Sequence, residues 1–174
     1  MKDLVKIATG KKNANAAAEN GQYAFFTCSL DDYKTNEYCF DCEAIIIAGN
    51  GAINVKYYNG KFDAYQRTYV ITANKYFFYC YCIYKDSIDS LIAGSKGSVI
   101  NFITLGMLQE INANLTNEKE HEEFEKEISL LMNNICKLKK NNLLLDQIKK
   151  QFLNKFFGWE VQSFLLKYIL IIRR

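Results

Sequence analysis

Between Asn117 and Phe157 the chain runs for about forty residues without a glycine or proline: NEKEHEEFEKEISLLMNNICKLKKNNLLLDQIKKQFLNKFF. Its apolar residues keep a heptad. Phe124, Leu131, Leu138, Leu145 and Phe152 stand seven apart, and Ile128, Ile135, Asn142, Lys149 and Phe156 fill the companion positions. Such a repeat predicts one long helix that pairs along its seam with another long helix; the polar Asn142 in mid-seam fixes register at some cost in stability. Asn117 is placed to cap it, with Glu120 completing a capping box. Glu118, Glu120, Glu122, Glu123, Glu125 and Glu127 crowd its start, and Lys137, Lys139, Lys140, Lys149, Lys150 and Lys155 its second half. That gradient suits the helix dipole and an antiparallel partner. The plainer alternative is a solvated amphipathic helix packed on its own domain.

The residues before it read as one globular domain, 1–115, with the helix spanning 116–157 and an apolar tail of unassigned role at 158–174. Residues 1–22 read as a loop leading to a short helix. YAFFTCSL (23–30), EAIIIA (43–48), AINVKYY (52–58), AYQRTYVIT (64–72) and KYFFYCYCIY (75–84) are rich in β-formers and read as strands. Gly49-Asn50-Gly51 and Asn59-Gly60 supply turn residues between them, so 43–72 is expected to form a three-stranded meander. KDSIDSLIAG (85–94) fits a short helix with a glycine stop. The fold class expected is a mixed, β-rich α/β domain followed by a long coiled-coil α-helix.

Several classes of chemistry find no foothold. The only histidine, His121, lies among glutamates and is expected to be exposed. No Ser-His or Cys-His pair, GxGxxG or GxxxxGK[ST] can be assembled, so no catalytic role and no cofactor are expected. Six cysteines keep a zinc or redox module open as an alternative. Cys39 and Cys42 have chelate spacing; Cys80 and Cys82 do not, and all six are expected to pack as reduced thiols. No metal site is assigned. The segment Phe164 to Ile172 is interrupted by Lys167 and too short for a bilayer, so a cytoplasmic protein with no membrane partner is expected.

What remains is amide and basic residues near likely loops: Lys11, Lys12, Asn13 and Asn15; Asn50, Lys56 and Lys61; Gln66 and Arg67 in the next strand; Lys75 and Lys96. These residue types grip phosphates and read base edges.

The order GKKNANAAAENGQYAFFTCS, FDCEAIIIAGNGAINVKYYNGKFDAYQRTYVI and GSVINFIT, then a long helix after INANLT, resembles the DNA-specificity subunit of type I restriction-modification systems. The resemblance covers about residues 1 to 155. Ala24 stands where the family has a proline in YPFF, and Ala113-Asn114-Leu115-Thr116 replaces a proline-bearing approach to the helix. The resemblance implies a target-recognition domain that reads half of a bipartite site in double-stranded DNA, and a helix that spaces the half-sites and docks methyltransferase subunits. S-adenosylmethionine would bind the methyltransferase, and full systems add an endonuclease subunit. One recognition domain and one helix make a half-subunit, which would homodimerise through antiparallel helices. A degenerate half-subunit that pairs but no longer reads DNA is the alternative.

Overall fold

A computed structural model describes residues 1–94, 101–115 and 117–172, with side chains to Phe156. The chain divides into two compact units, Met1–Lys126 and from Glu127 onward.

The first unit is built on six strands: β1 (Val5–Thr9), β2 (Tyr23–Phe26), β3 (Tyr33–Thr35), β4 (Phe40–Ala48), β5 (Val55–Ala64) and β6 (Thr68–Ala73). They form one mixed sheet in the order β1-β6-β4-β5-β2-β3, with β2 and β5 parallel and the other pairs antiparallel. Helices α1 (Phe77–Asp86), α2 (Ile88–Ala93) and α3 (Leu105–Glu110) follow. The mixed, β-rich fold is as expected, but several details differ.

The meander is absent: β4 lies between β5 and β6, which both pair with it. Asn59-Gly60 makes no turn; it runs inside β5, opposite Glu43 and Cys42. Val5–Thr9, read as loop, is an edge strand on β6. Residues 75–84 form no strand; α1 occupies most of that segment. The expected short helix and glycine stop at 85–94 correspond to α2 and Gly94.

The sheet is strongly curled. Phe62 pairs with Phe40 and Thr68 with Ala48, eight residues apart on β4. Eight strand residues cover about 26 Å, whereas the six steps from Phe62 to Thr68 reach at most about 21 Å. Only a curled sheet lets β5 hand over to β6 in so few residues. The curl explains why β4 reads as an unbroken apolar run, since both of its faces are buried. Ile45 and Ile47 join Val5, Val55, Ile71, Cys80, Tyr84, Leu91, Ile103 and Leu108, a core closed by the three helices. Ala44 and Ile46 join Phe26, Phe62, Ala64 and Val70, a cluster drawn from strands alone. Here Phe26, Tyr58 and Phe62 meet edge to face at 5.1–5.6 Å between ring centroids.

The long helix α4 runs from Glu118 to Ile172. Asn117 caps it: its Oδ1 accepts from the Lys119 N–H at 3.2 Å, and its Nδ2 donates to Glu120 at 2.7 Å. Within the first unit, His121 is half-buried, which corrects its expected exposure, and its ring lies 4.5 Å from that of Tyr79. In the second unit the seam is open. Leu131, Ile135, Leu138, Leu145 and Phe152 are all exposed, as is Asn142; Phe124 and Ile128 are half-buried. No helix of the described residues is long and apolar enough to cross a membrane.

Candidate nucleic-acid interface

Three of the segments singled out in the sequence are drawn together at one end of the curled sheet. The first is the chain leaving β1, which carries Lys11, Lys12 and Asn13. The second is the β4–β5 loop with Asn50. The third is the link from β5 to β6, where Gln66 and Arg67 sit in a tight turn and not, as expected, in a strand. Thr68 N–H closes that turn on the Tyr65 carbonyl at 2.8 Å.

Backbone atoms tie the three to one another. The Gln66 N–H donates to Lys12 O at 3.0 Å, and the Gly49 N–H donates to Arg67 O at 2.8 Å. The Cys28 thiol also reaches Arg67 O, at 3.4 Å, and the Ala52 N–H donates to Cys28 O at 3.2 Å. The glycines of the β4–β5 loop are specific to this packing. A Cβ on Gly49 would stand 2.4 Å from Arg67 O, and Gly51 holds a φ of +64°, a conformation other residues rarely adopt. Cys28 is the contributor that sequence reasoning missed, because a thiol carries no signal that it will hold a distant turn.

Side-chain availability divides the candidates. Lys11, Asn13, Asn15, Gln66 and Arg67 are exposed, Asn50 is half-buried, and none of the six makes a side-chain hydrogen bond or ion pair among the described residues. Lys12 is different. Its ammonium lies 3.0 Å from Glu37 and 3.3 Å from Asp63, whose side chain is wholly buried. The Glu37 hydrogen bond, more than Asp63, raises the Lys12 pKa above its ordinary value.

Lys56, Lys61 and Lys75 have partners of their own. Lys56 donates to Leu30 O at 2.9 Å and pairs with Asp32 at 3.0 Å. Lys61 sits over the Tyr38 ring, 4.8 Å from its centroid. Lys75 pairs with Glu118 at the root of α4. Lys96 lies outside the described residues.

Among the described residues no three His, Cys, Asp or Glu side chains gather as a metal ion would need. Cys42 lies in β4, whereas Cys39 precedes the strand and is exposed, not packed as expected. Cys80 and Cys82 are two apart on a helix and diverge around it. The Asp63 carboxylate beside Cys39 raises its pKa, and burial raises those of Cys42 and Cys82 and pushes Cys80 up to about 11.

No protein-family model matches the chain. Over 151 residues, 86% of its length, the chain is 35% identical to the type I restriction enzyme EcoDI specificity subunit of Escherichia coli, and the match takes in 34% of that protein. Among solved structures, the type I restriction-modification S subunit from M. genitalium superposes with a TM-score of 0.72 at 16% identity, over 97% of this chain and 47% of that one. A second, from work on complex assembly and conformational transition of the type I R-M system, gives 0.55 at 12% identity, over 86% and 41%. Likeness at such identities speaks to the fold alone. The chain spans about a third of the E. coli subunit and less than half of either solved chain. Sequence and fold together show that the chain belongs to the specificity-subunit family of type I restriction-modification systems.

Proposed function

We propose that this chain is a non-catalytic half-subunit that reads one half of a bipartite site in double-stranded DNA. It pairs with a second copy through antiparallel α4 helices, which restores both halves, and it docks an adenine methyltransferase subunit. In systems that restrict, the same assembly takes on the endonuclease. The observation that carries this reading is the joined set of loops whose polar side chains Lys11, Asn13, Asn50, Gln66 and Arg67 have no hydrogen-bond or ion-pair partner among the described residues. Arginine and amide side chains free at loop tips are suited to base edges, and free ammoniums to phosphates. The open apolar seam of α4 supports the pairing.

The test is to assemble the chain with its cognate methyltransferase and to methylate a random-sequence duplex library. The expected product is a symmetric bipartite site, bound with a steep salt dependence. Absence of any sequence-dependent binding or methylation would sink the proposal.

A second reading is a half-subunit that pairs but no longer reads DNA. It is favoured by the internal pairing of Lys12, Lys56 and Lys75, which removes three cations from a possible DNA grip. A protein that sediments as a dimer yet shows no sequence preference would support it.

A further inference from the structure

Helix α1 begins without a cap of its own. The residue before it, Tyr76, is left-handed at φ 55° and offers no side-chain acceptor. The acceptor arrives from far along the chain. Glu125 of α4 takes the Phe78 N–H on Oε2 at 3.1 Å and the Tyr79 N–H on Oε1 at 2.6 Å. Two turns earlier on α4, Glu118 accepts from the Lys75 ammonium and from the Tyr76 hydroxyl. Between them the His121 ring lies against Tyr76 and Tyr79. Residues 118, 121 and 125 are spaced by three and four, so they share one helix face. A carboxylate on two first-turn amides meets the positive end of the helix dipole in charge-assisted hydrogen bonds, stronger than neutral ones. The Lys75–Glu118 pair is exposed and adds little.

We propose that Glu125 is a positioning residue: by clamping the root of α4 to α1 it sets the half-site spacing that the assembled complex accepts. The proposal rests on the DNA-reading function above. A helical spacer transmits the angle held at its root, and a two-point clamp on backbone amides leaves that root less freedom than a single ion pair would.

The experiment compares variants of the full chain, each assembled with the methyltransferase and given the random-sequence duplex library. Sequencing the methylated products reads the distribution of distances between recovered half-sites. The wild type is expected to give one sharp spacing. Glu125→Ala is expected to lose that preference, with affinity for a duplex carrying one half-site unchanged. Glu125→Gln keeps a carbonyl acceptor and is expected to recover most of the sharpness. An unaltered spacing distribution in Glu125→Ala overturns the proposal. So does a matching loss of half-site affinity, which would make Glu125 a support of the recognition fold. Should Glu125→Ala fail to fold, Glu118→Ala, whose contact is exposed, is expected to broaden the distribution weakly; no broadening there overturns the proposal. Sequence-independent behaviour of the wild type would be read separately, as failure of the DNA-reading function.

Discussion

The Lys12 ammonium stands 3.3 Å from Oδ2 of Asp63, an oxygen that is buried and accepts no hydrogen bond. The other oxygen of Asp63 accepts from the Ala64 N–H at 2.8 Å. Removing the cation leaves a buried charge unpaired. Lys12→Met is expected to lower stability by about 2 kcal/mol, less than for a fully buried pair because the amine still touches water. Adding Asp63→Asn should restore most of the loss, since Asn keeps the Ala64 bond. The raised Lys12 pKa fixes the pH window. The contribution is whole below the ordinary lysine value of 10.5 and is lost above it, as pH climbs through the shifted value. Denaturant melts of the single and double variants, at neutral pH and above pH 10.5, check both statements.

Arg67 offers the opposite case. Its carbonyl is tethered while its side chain is free. Arg67→Ala should weaken binding to the recovered DNA site by about 1–3 kcal/mol, with an unchanged thermal melt. Equal affinity of the two proteins would remove Arg67 from the reading edge.

Lys11 is exposed and makes no ion pair among the described residues, so its expected role is a phosphate contact. Lys11→Ala should reduce affinity evenly across sequences and lower the slope of log affinity against log salt by about 1. A titration at several salt concentrations measures that slope, and a sequence-selective loss would argue for base contact instead.

Gly49→Ala puts a methyl group 2.4 Å from the Arg67 carbonyl. The turn must move or the loop must open, at about 1–3 kcal/mol. The expected result is a lowered melting temperature together with weakened DNA binding. Normal DNA binding by a destabilised variant would separate the Arg67 turn from recognition.

The seam of α4 predicts its own test. Leu131 and Leu138 are 56% and 62% exposed, so changing both to Ser should leave the folded first unit intact and abolish the dimer. Sedimentation of the doubly substituted chain as a dimer would place the pairing surface elsewhere.

The long helix was legible because its heptad, its cap and its lack of glycine all agree over many turns. The misreading of 75–84 has a physical cause. Its tyrosines, phenylalanines and cysteines favour strands locally, but the helix that forms is capped by Glu125 from another element, and no local pattern announces a distant cap. Asn59-Gly60 resembles a hairpin turn, yet it runs through β5 because the curl of the sheet, a property of all six strands together, moves the reversal to Gln66-Arg67. The loops of the candidate interface could be picked out by residue type. Their union could not, since it rests on hydrogen bonds between backbone groups far apart in sequence. By sequence Lys12 looks like Lys11; the buried Asp63 beside it sets the two apart.

The 65–68 turn is tethered by the Tyr65, Gln66 and Thr68 N–H groups, by the Tyr65, Arg67 and Thr68 carbonyls and by the Thr68 hydroxyl. None of them uses a side chain of Gln66 or Arg67. Those two positions are thus nearly neutral for folding, and under the proposed function substitution there is judged almost wholly by the duplex. A lineage could therefore change its preferred bases one residue at a time, with a stable protein at every step.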